Sequence, residues 1–360
     1  MKKKVLTLTF IGLLGFSTNG LCDSITPLAN HTKEATISFK SSDYKSAIMQ
    51  SCNALYHGRQ KSTAYLVLAK SYEALGDYLS AMVSYMKLKE CCNPNDVEKV
   101  DKKISSLKDK VNDEALKKAL SNTPEKVLIS ESFFKKDRVY RTRDYIFNPM
   151  GQIIEEKYCK PNNTYEYRIE YTYDKEGVLV EKMKFDEMDR LMETESVSYA
   201  EGRKVQETRR GPGGNVLGDK TFLYDLGGNV KSIMTHNANN ELIFEETFLY
   251  TGSNVYEKTS KDYKDQSTLE NYTARYSYKD GKLAEKEILY KMGLFERVKF
   301  FYRGEQLLQE VYYSTKSEPV KSKKYAYSSN GDLHEVGEYE IKQRKKDLLQ
   351  TKTEYQYSRI

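Results

Sequence analysis

The sequence predicts an α+β protein whose two classes form separate domains: a short α-helical module followed by a long antiparallel β-meander repeat sheet. Three observations carry this expectation. An early 34-residue recurrence relates Tyr44 to Tyr78 and Ala47 to Ala81. A shorter recurrence of about 26 residues begins near residue 123 and continues to the end. The composition changes between them, since 24 of the 30 tyrosines follow residue 122.

The chain opens MKKKVLTLTFIGLLGFSTNGLCDS. Lys2, Lys3 and Lys4 precede an apolar run from Val5 to Phe16, too short to span a bilayer but suited to a signal-peptide core. Residues 1–22 are therefore expected to be a signal peptide of bacterial type. The product is then exported, to the periplasm, the cell surface or the medium. Cys22 offers a second reading, lipidation as a lipoprotein cysteine, against which stands the bulk of Leu21. No other stretch approaches ~18 apolar residues, so no transmembrane segment is expected in the mature chain. Loss of the leader lowers the formal charge from +6 to +3, too little to argue for nucleic acid. Hydrophobic content of 39% with 12% aromatic residues describes a folded chain with a thin core. Cys52, Cys91, Cys92 and Cys159 allow three pairings and match no zinc spacing, so buried thiols or one structural bridge are expected.

Residues 23–95 read as two helical repeats. In AYLVLAKSYEALGDYLSAMVSYMKLKECCNP, the small residues Ala69 and Ala81 let antiparallel helices approach closely, and Gly76-Asp77 makes the turn between them. Tyr65, Tyr72 and Tyr85 supply bulk, and an earlier unit keeps Ala35, Tyr44, Ala47 and Ala54. This pattern resembles the tetratricopeptide family. The resemblance implies stacked helix pairs with a concave groove for a protein partner, with Tyr65, Lys70 and Tyr72 as the contact residues. Residues 96–122 read as a charged amphipathic capping or linker helix. Two repeats and a cap are fewer than such arrays need, so the module is expected to lean on its neighbour or on a partner.

Residues 123–360 read as eight β-hairpin repeats of about 26 residues, each with two strands and two turns, giving sixteen or seventeen strands. An aromatic before the turn recurs at Phe147, Tyr173, Tyr199, Tyr224, Tyr250, Tyr278, Tyr302 and Tyr327. A turn glycine and an aliphatic follow, as in Gly177 and Leu179, Gly281 and Leu283, Gly304 and Leu307. The six-residue step from Tyr173 to Leu179 fits a type I turn with a glycine bulge. The five-residue steps at Tyr278 and Tyr302 fit two-residue turns. Either way the aromatic faces the aliphatic across the hairpin. Glutamates recur two residues later at Glu155, Glu181, Glu207, Glu257, Glu285 and Glu335, expected to face Lys or Tyr on a half-exposed sheet. The motif YxYDxxGxLxE resembles the YD repeat of RHS-type proteins and, more loosely, MORN-like units of some antitoxins. That resemblance implies a β-repeat architecture. The arginine that follows the turn glycine in RHS proteins stands only at Gly202-Arg203, and no toxin domain is evident.

His31, His57, His236 and His334 lie in no metal spacing, G-x-S-x-G is absent, and GPGGN sits at a hairpin turn. No enzyme, catalytic residue, metal or cofactor is expected. The expected function is that of an exported interaction or scaffold protein: a helical module taking a protein partner and a Tyr-rich sheet serving as binding surface or spacer. The alternatives are a repeat protein binding carbohydrate or envelope polysaccharide, and an RHS- or antitoxin-like accessory protein.

Overall fold

A computed structural model describes residues 31–56, 60–124, 126–162, 164–265, 269–293, 295–341 and 347–359. The signal-peptide and Cys22 readings lie outside these residues.

Six helices come first: α1 (His31–Lys40), α2 (Tyr44–Tyr56), α3 (Lys61–Leu75), α4 (Tyr78–Cys91), α5 (Val97–Leu107) and α6 (Asp113–Asn122). The corner between α3 and α4 follows from two residues. Gly76, at φ +74, ends α3 in the left-handed conformation. Asp77 then starts α4 by accepting a hydrogen bond from the Ser80 backbone N–H at 3.0 Å. The stretch expected as one helix over 96–122 is broken. Asn112 caps a separate α6 by accepting from the N–H groups of Glu114 and Ala115.

Eighteen strands follow: β1 (Lys126–Lys135), β2 (Arg138–Phe147), β3 (Ile153–Cys159), β4 (Tyr165–Tyr173), β5 (Leu179–Asp186), β6 (Leu191–Ala200), β7 (Arg203–Arg210), β8 (Val216–Tyr224) and β9 (Val230–Asn237). The second half comprises β10 (Leu242–Thr251), β11 (Asn254–Asp262), β12 (Tyr272–Lys279), β13 (Lys282–Tyr290), β14 (Phe295–Arg303), β15 (Gln306–Tyr313), β16 (Pro319–Tyr327), β17 (Leu333–Glu340) and β18 (Leu348–Arg359). Each strand pairs antiparallel with its sequence neighbours, and β1 pairs with β2 on one side and β18 on the other. The seam runs from Lys126↔Arg359 to Lys135↔Thr351 with one irregularity after Leu128. The sheet is therefore a closed 18-stranded barrel with no free edge, and the expectation of an open meander is corrected. Closure satisfies the backbone groups that an open sheet would leave on two edges.

Part of the wall is open to water on both faces. Every residue of β4 and of β5 is half-buried. A packed interior would bury alternate residues fully. Barrels of about this strand number leave an aqueous interior.

The tetratricopeptide expectation is also corrected. The helices do not form a free array with an open groove: their core continues into the barrel, where Ile146, Ile154 and Tyr173 pack with Leu68, Tyr85 and Leu107. Met150, in the loop after β2, packs with Leu79 and Val83 of α4. The YD and RHS reading falls with closure, because the hairpins complete one barrel instead of winding onward as an extended repeat sheet.

Candidate functional site: an ionic wall and a cleft at its rim

In an antiparallel ladder, directly paired residues share a face. One row therefore runs Phe248, Lys258, Ala274, Ile288 and Glu296. The row on the other face runs Leu249, Glu257, Arg275, Glu287 and Arg297. Ionisable residues thus stand at mid-strand on both faces. Most are neutralised within the wall: Lys258 pairs with Glu246, Arg275 lies 3.2 Å from Glu257, and Lys182 lies 2.6 Å from Glu195.

Tyrosine hydroxyls join these networks. Tyr325 and Tyr312 both donate to Glu310, at 2.5 and 2.6 Å. Arg143 pairs with Glu131, which also accepts from Tyr145 at 3.0 Å, and donates to Tyr158 at 2.9 Å. Tyr158 stacks on Tyr167 with ring centroids 4.3 Å apart.

Tyr173, Tyr278 and Tyr302 pair across their hairpins with Leu179, Leu283 and Leu307. In the loop after β4, Gly177 N–H donates to Asp174 and Asp174 N–H to Val178. Gly281 and Gly304 sit in the two-residue turns after β12 and β14. The recurrent tyrosine has a further role that spacing did not reveal. Tyr173 donates to the Ile153 carbonyl, Tyr224 to Lys204, Tyr250 to Val230, Tyr278 to Val255 and Tyr327 to Leu307. Each hydroxyl thus staples one hairpin to the start of the second strand of the preceding one. The recurrent glutamates mostly meet bases: Glu155 with Lys157, Glu207 with Lys204, Glu285 with Lys299 and Glu335 with Lys352.

Tyr65 and Tyr72 are buried in the helical core, 7% and 8% exposed, and Lys70 is exposed. Burial pushes the Tyr65 phenol up to about 12. Cys159 is disulfide-bonded, whereas Cys52, Cys91 and Cys92 are free thiols. His236 lies on β9 with Nδ1 3.5 Å from Asp219. It borders a hollow of about 300 Å³.

A larger cleft of about 1210 Å³ opens where the helices meet the wall. All eight turns that follow the recurrent aromatic lie at the rim from which β1 starts, as the meander requires. The α3–α4 corner sits over this rim, where Asp77 feels the charges of Asp174 and Lys175. Burial raises the Asp77 carboxyl above its ordinary range. The floor is ionic. Arg168 pairs with Glu170, lies 3.1 Å from Asp189 and 4.0 Å from Glu155, and covers the Phe185 ring at 4.1 Å. Neither end of this cleft carries a local motif, because it joins residues more than a hundred positions apart. Among the described residues no group of three or more His, Cys, Asp and Glu is placed to hold a metal ion, and no helix is long and apolar enough to cross a membrane.

No known family profile and no curated protein matches the chain. Among solved structures, a porin-like protein from Bacteroides uniformis is 12% identical, with 65% of this chain covering 97% of that one at a TM-score of 0.40. A porin-like protein from Bacteroides vulgatus is 10% identical, with coverages of 64% and 98% and a TM-score of 0.32. A TcdB2-TccC3 structure lacking its hypervariable C-terminal region is 13% identical over 57% of this chain and 14% of that chain, with a TM-score of 0.25. At these TM-scores the likenesses carry no argument, and the closed barrel rests on its own strand pairing.

That closure overturns three functional expectations. A scaffold built from a peptide-binding helical groove and an open sheet loses both parts, since Tyr65 and Tyr72 are core residues and the sheet has no free edge. A polysaccharide-binding tyrosine row on an open sheet falls with it, since these tyrosines belong to the wall of a closed barrel. The absence of a membrane-crossing segment was argued from apolar helix length, a criterion that does not reach strands. A closed antiparallel barrel is the fold by which strands cross membranes.

Proposed function

We propose that this is an exported, non-enzymatic barrel of transport type, located in the cell envelope, which holds or passes polar solutes through a water-filled interior. The observation that carries the reading is closure of the eighteen strands around a wall that is half-exposed and ionisable on both faces. A wall of this kind presents carboxylates, bases and phenols to water at close spacing, and so suits hydrated solutes better than apolar ones. The helical module sits at one rim, where it controls the approach to the barrel mouth. An outer-membrane barrel carries an outward apolar band about 25 Å tall. Here the charged pairs lie within the wall, so the test must separate action in a bilayer from action beside one.

The full chain would be mixed with lipid vesicles, floated on a density step, and the floated vesicles assayed for swelling in isosmotic solutions of small sugars and salts. Equilibrium dialysis of the same solutes against the soluble protein forms the second arm. Swelling, or saturable retention of a polar solute by the soluble barrel, supports the proposal. Failure of both arms with a folded protein overturns it.

A further inference from the structure

We infer that the cleft between the helical module and the barrel wall is a binding site for an extended organic cation, a chain of ammonium groups on an apolar stem. This goes beyond solute passage and does not depend on it.

Charge is the first argument. Seven carboxylates line the cleft against four bases. The two bases on its barrel floor are already engaged: Arg168 by Glu170 and Asp189, and Lys157 by Glu155 at 2.8 Å. An incoming anion would have to displace those carboxylates, whereas a cation meets the excess charge directly. Glu155 is only 3% exposed, and its Oε1 already holds the Lys157 ammonium at 2.8 Å. The Tyr165 hydroxyl, by contrast, is buried with no hydrogen-bond partner. An ammonium donor supplies what this oxygen lacks.

Shape and lining give the stem. At about 1210 Å³ the cleft exceeds the space a compact small molecule fills, which favours an extended ligand. Met49, Met150 and Met183 line it together with Tyr165, Tyr171 and Tyr173. Thioethers adapt to a flexible methylene chain, and tyrosine faces attract ammonium groups.

Spermine is the probe, titrated calorimetrically into the full chain at low ionic strength. The expected result is saturable binding that weakens as salt is added. Glu187→Gln combined with Asp189→Asn, both in the exposed turn at the cleft edge, should weaken it at least tenfold. Asp137→Asn, in an exposed turn that does not line the cleft, should leave it unchanged, and circular dichroism should confirm that both variants fold like the parent. Absence of saturable spermine binding overturns the inference. So does binding that both variants retain equally, or binding of inorganic phosphate in place of spermine. Solute passage can fail while spermine binding persists, and the reverse, so the two proposals are separately testable.

Discussion

At the scale of single residues, the recurrent tyrosine is best understood as a staple. Tyr250 donates to the Val230 carbonyl at 2.9 Å, and its ring is only half-exposed. Tyr250→Phe keeps the ring and deletes the bond, so we expect a loss of about 1 kcal/mol in a urea unfolding titration. Gly218 shows the opposite sensitivity. It sits at φ +153, and an added Cβ would lie 2.4 Å from the His236 carbonyl oxygen across the ladder. Gly218→Ala should cost on the order of 3 kcal/mol or more, by the strain and overpacking it forces. Gly213→Ala, whose Cβ would meet nothing nearer than 3.7 Å, serves as the mild comparison. Glu73 illustrates a pH dependence. Burial alone would raise its carboxyl, but Lys103 at 3.0 Å and the Tyr85 hydroxyl at 3.0 Å hold it below the ordinary 4.5. A carboxyl depressed in the fold contributes stability above pH 4.5 that is lost as pH falls through its lowered value. Lys103 is half-exposed, so the contribution is below about 1 kcal/mol. The acid limb of the parent's stability curve should flatten in Glu73→Gln over that window, as read by thermal unfolding at stepped pH.

At the scale of elements, the hairpins were legible and their assembly was not. Spacing alone placed Tyr173 opposite Leu179 and Tyr302 opposite Leu307, because turn chemistry acts within a dozen residues. The expected sixteen or seventeen strands fall short of the eighteen at the two ends of the sheet. The first, Lys126–Lys135, precedes the first recurrent aromatic at Phe147, and the last, Leu348–Arg359, follows the last recurrent turn. These are the two strands that close the barrel. The helical reading failed for a related reason. Small residues at Ala69 and Ala81 do permit close helix contact, since both are 0% exposed. The same small residues cannot say whether Tyr65 and Tyr72 line a groove or fill a core. The break at Asn112 was visible in retrospect as a cap followed by Asp113 and Glu114. Deleting residues 348–360 removes β18 and leaves β17 and β1 as free edges. We expect the shortened chain to aggregate or to pair between molecules, detectable as a concentration-dependent shift in size-exclusion elution. A shortened chain that remains monomeric and soluble would contradict this.

At the scale of the whole molecule, closure depends on the summed twist and tilt of eighteen strands, for which no residue carries a local signal. The same holds for the cleft, whose walls come from α2, the α3–α4 corner and β3 to β5. Periodicity could therefore predict a sheet but not its two ends meeting. The transport reading stands on that meeting, which encloses an interior behind the rim on which the helical module is seated. The direct measurement is a crosslink across the seam. Ser132 pairs with Glu354 in the ladder between β1 and β18. Paired residues there lie within disulfide reach, at about 4.5 or 5.5 Å between Cα atoms. The double substitution Ser132→Cys with Glu354→Cys should form an intramolecular disulfide under mild oxidation, identified by peptide mass spectrometry under non-reducing conditions. The closed barrel predicts efficient crosslinking within single chains at dilute concentration. Two free thiols, or bridges formed only between molecules, would contradict it.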